Sequence, residues 1–289
     1  MPHKQSPFIS NSWLENCGSG GFVFENFCGL YKTNLKGIPA LFTPPWALDC
    51  GLSLDSNNRE HYTTFIEALS KRRESYITVD LPPCSDDSSK GLSTAIVKQY
   101  TPSDFRVQWR HTRILNIPTK LPANRRKQVN KAERELISCE LTEDWSNVSL
   151  LHDESRNRKD LSIDSKQLKN LLDSISAQSY SFAIEAKNAE GECIASGGFV
   201  LTSPNRCVYA FGGQKRGPNS AVATVAMLNY AMIVAEKKGA QEFDFGGSSD
   251  PGVDRFYKEF GALSVPKPRL IRTSWWLNPI LKVIRPDLF

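Results

Sequence analysis

The stretch Gln241–Ala262, QEFDFGGSSDPGVDRFYKEFGA, decides how the last third of this chain folds. In QEFDF the residues alternate as a strand does, so Phe243 and Phe245 face one side while Glu242 and Asp244 face the other. Gly246 and Gly247 break the strand. Asp250 then suits a helix N-cap and Pro251 its first position, and Val253, Phe256, Tyr257 and Phe260 follow at i, i+3, i+4 and i+7. Gly261 closes that short helix, and KPRLIRTSWWL reads as a returning strand.

Moving upstream, residues 220–238 are apolar on most faces and predict a largely buried helix, ended by Lys237, Lys238 and Gly239. Before it, SYSFAIEAKN, ECIASGGFVL and RCVYAFGG are three strand-like runs joined by turns. Two helices precede them, one in PTKLPANRRKQVNKAEREL with Val129, Ala132 and Leu136 at helical spacing, and one over residues 164–178. The order helix, helix, three strands, helix, strand, helix, strand is that of a mixed α/β (α+β) domain. The region before about residue 115 is turn-rich, with a candidate strand at Gly21–Phe27, a helix around His61–Arg73 and the strand FRVQWRHTRILNI. The expected division is therefore residues 1–115 and residues 116–289.

Composition limits the function. A chain of 289 residues is long enough for two ordinary domains, and 40% apolar with 23% charged residues is globular. The net charge of +5 suits a phosphate-bearing ligand but is too mild to announce nucleic-acid binding by itself. MPHKQSPFIS lacks the apolar core of a signal peptide, and no apolar run approaches the roughly 20 residues of a membrane span, so a cytoplasmic location is expected. Seven cysteines without a CxxC pair read as reduced thiols, and none of the four histidines stands at metal-ligand spacing from another, so no metal is expected.

Candidate chemistry gathers in the second half. GGQKRGPNS, residues 212–220, lies between a strand and the buried helix. Backbone N–H groups of Gly212, Gly213, Gln214, Lys215, Arg216, Gly217, Asn219 and Ser220 there can cradle a pyrophosphate, helped by the two cations, or the segment is simply a tight turn with an N-cap. Asp244, at the carboxyl end of its strand, can act as a general base or orient an amine, or it can bond the backbone of the GGSS turn. Tyr257 belongs to the apolar stripe yet carries a phenol able to donate a proton, as does Tyr209. Lys258, four residues after Asp254, is either a solvated helix pair or a charge for developing anions. Arg126 stands with Lys127, Lys131 and Arg134 on a basic helix, and Trp46 follows two prolines in a stiff loop; each can line a substrate groove or serve structure alone.

With these residues in view, FDFGGSSDPGVDRFYKEFGA resembles the closing motif of the FemAB-like branch of the GNAT acyltransferase superfamily. PNSAVATVAM, NRRKQVNKAERE and GIPALFTPPWALDCGL are similar to that group in order and spacing. The resemblance implies two GNAT-like halves, each a mixed sheet flanked by helices, sharing a cleft. It further implies N-acyl transfer to a small-molecule or peptide amine. Acyl-CoA such as acetyl-CoA is the donor in ordinary GNAT enzymes, whose pyrophosphate loop Gln214 and Gly217 match. In FemAB relatives the donor is aminoacyl-tRNA and the acceptor a peptidoglycan precursor, and a catalytically silent binding module is a third outcome. The family motif places a lysine where this chain has Tyr257, with Lys258 one position later. Asp244 is then the base or amine-orienting group, Tyr257 or Tyr209 the acid, and residues 212–220 the phosphate cradle.

Overall fold

The computed structural model describes residues 6–52, 58–84, 92–157, 164–202, 205–247 and 250–284. The chain divides into two compact units, Phe8–Thr112 with Val265–Phe289, and Arg113–Ser264 with the first seven residues. It leaves the first unit inside one strand and re-enters it inside another. No described helix is long and apolar enough to cross a membrane.

The first unit contains α1 (Asn11–Leu14), β1 (Gly21–Phe24), β2 (Cys28–Leu35), β3 (Ile38–Phe42), α2 (Asn58–Ser70), β4 (Tyr76–Asp80), α3 (Thr94–Tyr100) and most of β5 (Arg106–Asn116). The hairpin β1–β2 turns through Glu25 and Asn26, both at positive φ, which ends β1 at Phe24 rather than Phe27. β2 pairs antiparallel with β3, which runs parallel to β4. On the other side of β4 lies β11 (Leu263–Thr273), with Arg269 opposite Asp80. That pairing draws residues 265–289 into this unit, whereas the sequence reading grouped them with residues 116–264. Asp80 anchors the arrangement. Burial opposes its charge, but the Arg269 fork at 2.8 Å and Arg110 at 3.3 Å hold its carboxyl below the usual carboxylate range.

The second unit contains the end of β5, α4 (Ala123–Arg134), β6 (Ser138–Thr142), α5 (Ser146–Asn157), α6 (Ser165–Ser176), β7 (Ser181–Lys187), β8 (Cys193–Thr202), β9 (Arg206–Gln214), α7 (Ser220–Lys237), β10 (Glu242–Asp244) and α8 (Pro251–Lys258). Strands β6 to β9 form an antiparallel meander, β10 runs parallel to β9, and β5 closes the order antiparallel to β10. α7 buries Ala223, Val225, Met227, Leu228 and Ala231 against this sheet, in one cluster with Phe199, Phe243, Phe245 and Phe260. The mixed α/β class expected from the sequence is the class observed. β6 and α5 were not expected, because β6 is an exposed edge strand and α5 buries only Val148 and Leu151 fully. Glycine explains the contact of α5 with the sheet. A Cβ on Gly213 would come within 2.2 Å of the Leu151 carbonyl oxygen, and one on Gly198 within 2.6 Å of the Trp145 ring.

Candidate active site

β10 is short, and its shortness makes the site. It pairs with β9 only at Glu242, Phe243 and Asp244, opposite Arg206, Cys207 and Val208. Beyond that point β9 continues to Gln214 alongside β8, while the chain after Asp244 turns the other way, Phe245 N–H donating to the Arg113 carbonyl of β5 at 2.9 Å. Among the described residues, the Tyr209–Gln214 part of β9 has a strand partner on its β8 side only. Asp244 stands where the two strands part. It is buried, and its Oδ1 accepts the Gly246 N–H at 2.9 Å, one of the two uses the sequence allowed it; Ser248 and Ser249 of that turn lie outside the described residues.

Two phenols share this place. The Tyr209 ring stacks on Phe199 at 5.3 Å, and the Tyr257 ring stacks on Phe245 at 4.8 Å. Burial raises the pKa of both, and for Tyr257 the nearby Tyr209 and Asp244 add to the rise, so both phenols stay protonated. Asp244 and Tyr209 therefore each lie within electrostatic reach of Tyr257. Close approach of Tyr209 depends on glycine: a Cβ on Gly212, at φ +144°, would lie 2.6 Å from the Tyr209 hydroxyl, and one on Gly197 would lie 3.0 Å from its ring.

α8 carries Tyr257 and is held from two directions. Arg113 at the end of β5 grips Asp254 with two bonds of 2.7 and 2.6 Å. Arg125 of α4, 2% exposed, lies over the rings of Phe256 and Phe260 at 4.3 and 4.5 Å and donates to the Phe256 carbonyl at 2.6 Å. That carbonyl is in the last turn of α8, where a helix leaves acceptors unpaired and favours a cation. The sequence reading singled out the neighbouring Arg126, which is exposed; one helical position separates the solvated face from the buried one. Lys258 is likewise exposed, and Trp46 belongs to the other unit, half-buried at φ +60° in a turn.

The stretch Gly212–Ser220 is not one loop. Gly212, Gly213 and Gln214 are residues of β9, paired with Gly197, Ser196 and Ala195, and the lack of side chains on the two glycines serves packing against Tyr209 and α5. The Gly212 N–H is taken by His152 Nδ1 at 3.2 Å, the Gln214 side chain bonds the Thr224 hydroxyl, and Lys215 pairs with Glu192 at 2.6 Å. Only residues 215–219 form the turn. Asn219 adopts a left-handed conformation, gives its amide to Glu135 at 3.1 Å and does not cap α7, so the first N–H groups of that helix have no side-chain acceptor from it. Arg216 is exposed beside them.

His152 was not anticipated from the sequence, where it sits alone in a weakly amphipathic segment. Because Nδ1 accepts from Gly212, the ring proton is on Nε2, which is buried without a hydrogen-bond partner among the described residues. Burial first, then the Arg156 charge, push its pKa down to about 4, so the ring is neutral at neutral pH.

No protein-family model matches the chain, and no curated protein matches it. Solved structures do. The fold is similar to that of FemX, with a TM-score of 0.69 at 14% identity over 97% of this chain and 96% of that one. It is also similar to L-PGS from Bacillus licheniformis, with a TM-score of 0.58 at 13% identity over 93% and 89% of the two chains. A conserved protein of unknown function from Bacteroides thetaiotaomicron gives 0.59 at 12% identity over 94% and 93%. The likeness is one of fold: the chain shares its fold with FemX and L-PGS over nearly its whole length.

Proposed function

We propose that the chain is an N-acyltransferase that moves an acyl group from a coenzyme A thioester to an amine. The observation that carries this reading is that Tyr257 lies near enough to both Asp244 and Tyr209 to feel their charge, beside the point where β9 and β10 part. The amine attacks the thioester carbonyl, a C–N bond forms and the C–S bond breaks. Asp244 takes the proton lost by the nitrogen, or orients the amine, and a phenol hands a proton to the departing sulfur. Tyr257 is the first choice for that donor because desolvation, with the nearby Tyr209 and Asp244, keeps it protonated.

Donor geometry supports the same reading. From Val208, opposite Asp244, to Lys215 the chain rises about 3.3 Å per residue, so roughly 20 Å separates the carboxylate from the start of the turn. A donor with its carbonyl at Asp244 and its phosphates at the uncapped end of α7 must be long and linear, as a coenzyme A thioester is. Residues Arg216–Ser220 fit the phosphates; Gly212 and Gly213, committed to the sheet, do not serve as the cradle. Trp46, Arg126 and Lys258 remain candidates only for acceptor contacts. A second reading, aminoacyl transfer from tRNA as the FemAB resemblance implies, is favoured by the end-to-end likeness to FemX.

Mass spectrometry of natively purified protein, with thermal melts over an acetyl-CoA titration, separates the two. A retained coenzyme A species or saturable stabilisation is expected. A steeply salt-dependent tRNA affinity with no coenzyme A response transfers the proposal to the second donor. Asp244→Asn turning over at the full wild-type rate removes the base assignment.

A further inference from the structure

The segment after β11 has an apolar face that the fold does not use. Trp275–Leu277 forms a single 3-10 turn and leads into α9 (Asn278–Ile284). Leu277 and Leu281 sink into a cluster with Ala40, Tyr76 and Ile271, and Ser274 N–H bonds the Ser75 carbonyl at 2.8 Å, so the segment is seated on its unit. On the other side Trp275 is 84% exposed, Trp276 43%, Ile280 48% and Val283 83%. A surface helix normally turns polar residues outward, and one that is apolar on both faces is normally covered.

We propose that Trp275, Trp276, Ile280 and Val283 dock this protein on an anionic lipid surface. Charge is the first argument. Of the five cations in Val265–Pro286, a stretch with no acidic residue, Lys267, Arg269 and Arg272 are engaged within the fold, and Lys282 and Arg285 follow the tryptophans. Within α9 Lys282 is exposed beside Val283, and Arg285 follows in the sequence. Long basic side chains flanking inserted apolar groups reach phosphates while their stems stay in the apolar layer. Residue type is the second argument. An indole has an apolar body and one N–H, which places it at the boundary between lipid tails and headgroups. Size is the third. Four partly exposed side chains offer on the order of 500 Å², against about 800 Å² per partner in a stable protein interface. Shallow insertion into a bilayer needs no such area.

The test is co-sedimentation of the full chain with phosphatidylcholine vesicles, with and without phosphatidylglycerol, while tryptophan emission is followed. Expected is binding to the anionic vesicles with a blue shift, weakened about fivefold by Lys282→Gln, as one cation near a charged surface contributes. Trp275→Ser with Val283→Ser, both at exposed positions, should lower binding more than tenfold while circular dichroism is unchanged. Unaltered binding in that double variant, or equal recovery with and without anionic vesicles, overturns the proposal. So does a doubled mass in solution that the same double variant returns to monomer, because the face then belongs to a second copy. None of these outcomes depends on the transferase reading.

Discussion

Removing Arg125 should loosen the helix that carries Tyr257, and the size of the effect can be worked from its contacts. The guanidinium lies 4.3 and 4.5 Å from the Phe256 and Phe260 rings and 2.6 Å from the Phe256 carbonyl. A desolvated cation–π contact contributes up to ~2 kcal/mol, and a hydrogen bond from a charged donor ~1.5–3 kcal/mol. The Glu259 carboxylate at 3.2 Å is 45% exposed, so that pair adds only ~0–1 kcal/mol. These contributions share one group and do not sum; ~3–5 kcal/mol is the usual loss when one partner of a buried charged contact is removed. For a unit of this size, Arg125→Ala should then lower the melting temperature by roughly 10 °C. Arg125→Lys, which keeps the charge but not the planar fork, should lose about half as much. Calorimetry gives the first number. Hydrogen exchange over residues 251–262 locates it, since the slowed amides of α8 should lose protection first. An Arg125→Ala protein within ~1 kcal/mol of wild type, or one whose α8 exchanges as before, refutes the idea that this guanidinium holds the helix.

Two further outcomes concern the packing behind the site and its pH response. Gly213→Ala places a Cβ 2.2 Å from the Leu151 carbonyl and should cost ~1–3 kcal/mol in urea melts, more than Gly191→Ala, where no atom lies within 4 Å and only the φ of +79° resists. His152, with its folded pKa near 4 below the ordinary 6.5, binds fewer protons folded than unfolded between those values. Stability should therefore fall as pH drops from about 6.5 to about 4, by up to ~2–3 kcal/mol. His152→Asn, whose amide oxygen can accept the Gly212 N–H, should flatten that window in pH-resolved unfolding curves.

How much of this was legible in the sequence depended on whether the signal was local. Asp250, Pro251 and the Val253–Phe260 stripe specify α8 within a few residues, and the observed cap, with Asp250 Oδ1 accepting from Gly252 and Val253, uses those side chains. The buried helix α7 and the strands before it were equally readable, because burial on most faces needs an unbroken apolar run. β6 and α5 escaped because the sheet, not their own composition, stabilises them. Glycine was the deceptive letter. In GGQKRG the pair reads as a phosphate loop, whereas both residues permit close approach, one of α5 and one of Tyr209, which is visible only when a distant segment is packed against them. Arg125, Arg113 and His152 share that property: their partners Phe256, Asp254 and Gly212 lie far along the chain.

Tyr257 is where this chain departs most from the motif it resembles, and the departure limits the chemistry. A lysine at that position would bring a positive charge; a half-buried phenol kept protonated brings only a hydrogen-bond donor. Lys258, the next residue, is exposed at the end of α8 and does not replace the charge. In the proposed reaction no side-chain cation stands at this position, and the single O–H of Tyr257 is left to protonate the leaving sulfur. Tyr257→Phe isolates this. The ring keeps its stacking on Phe245, so the melting temperature should hold, while kcat should fall by about 10² with KM little changed, as for a contact made only in the transition state. Lys258→Ala should leave kcat unaltered. Full turnover in Tyr257→Phe, or an equal loss in Lys258→Ala, would show that the charge still matters and that the phenol is only part of the aromatic core.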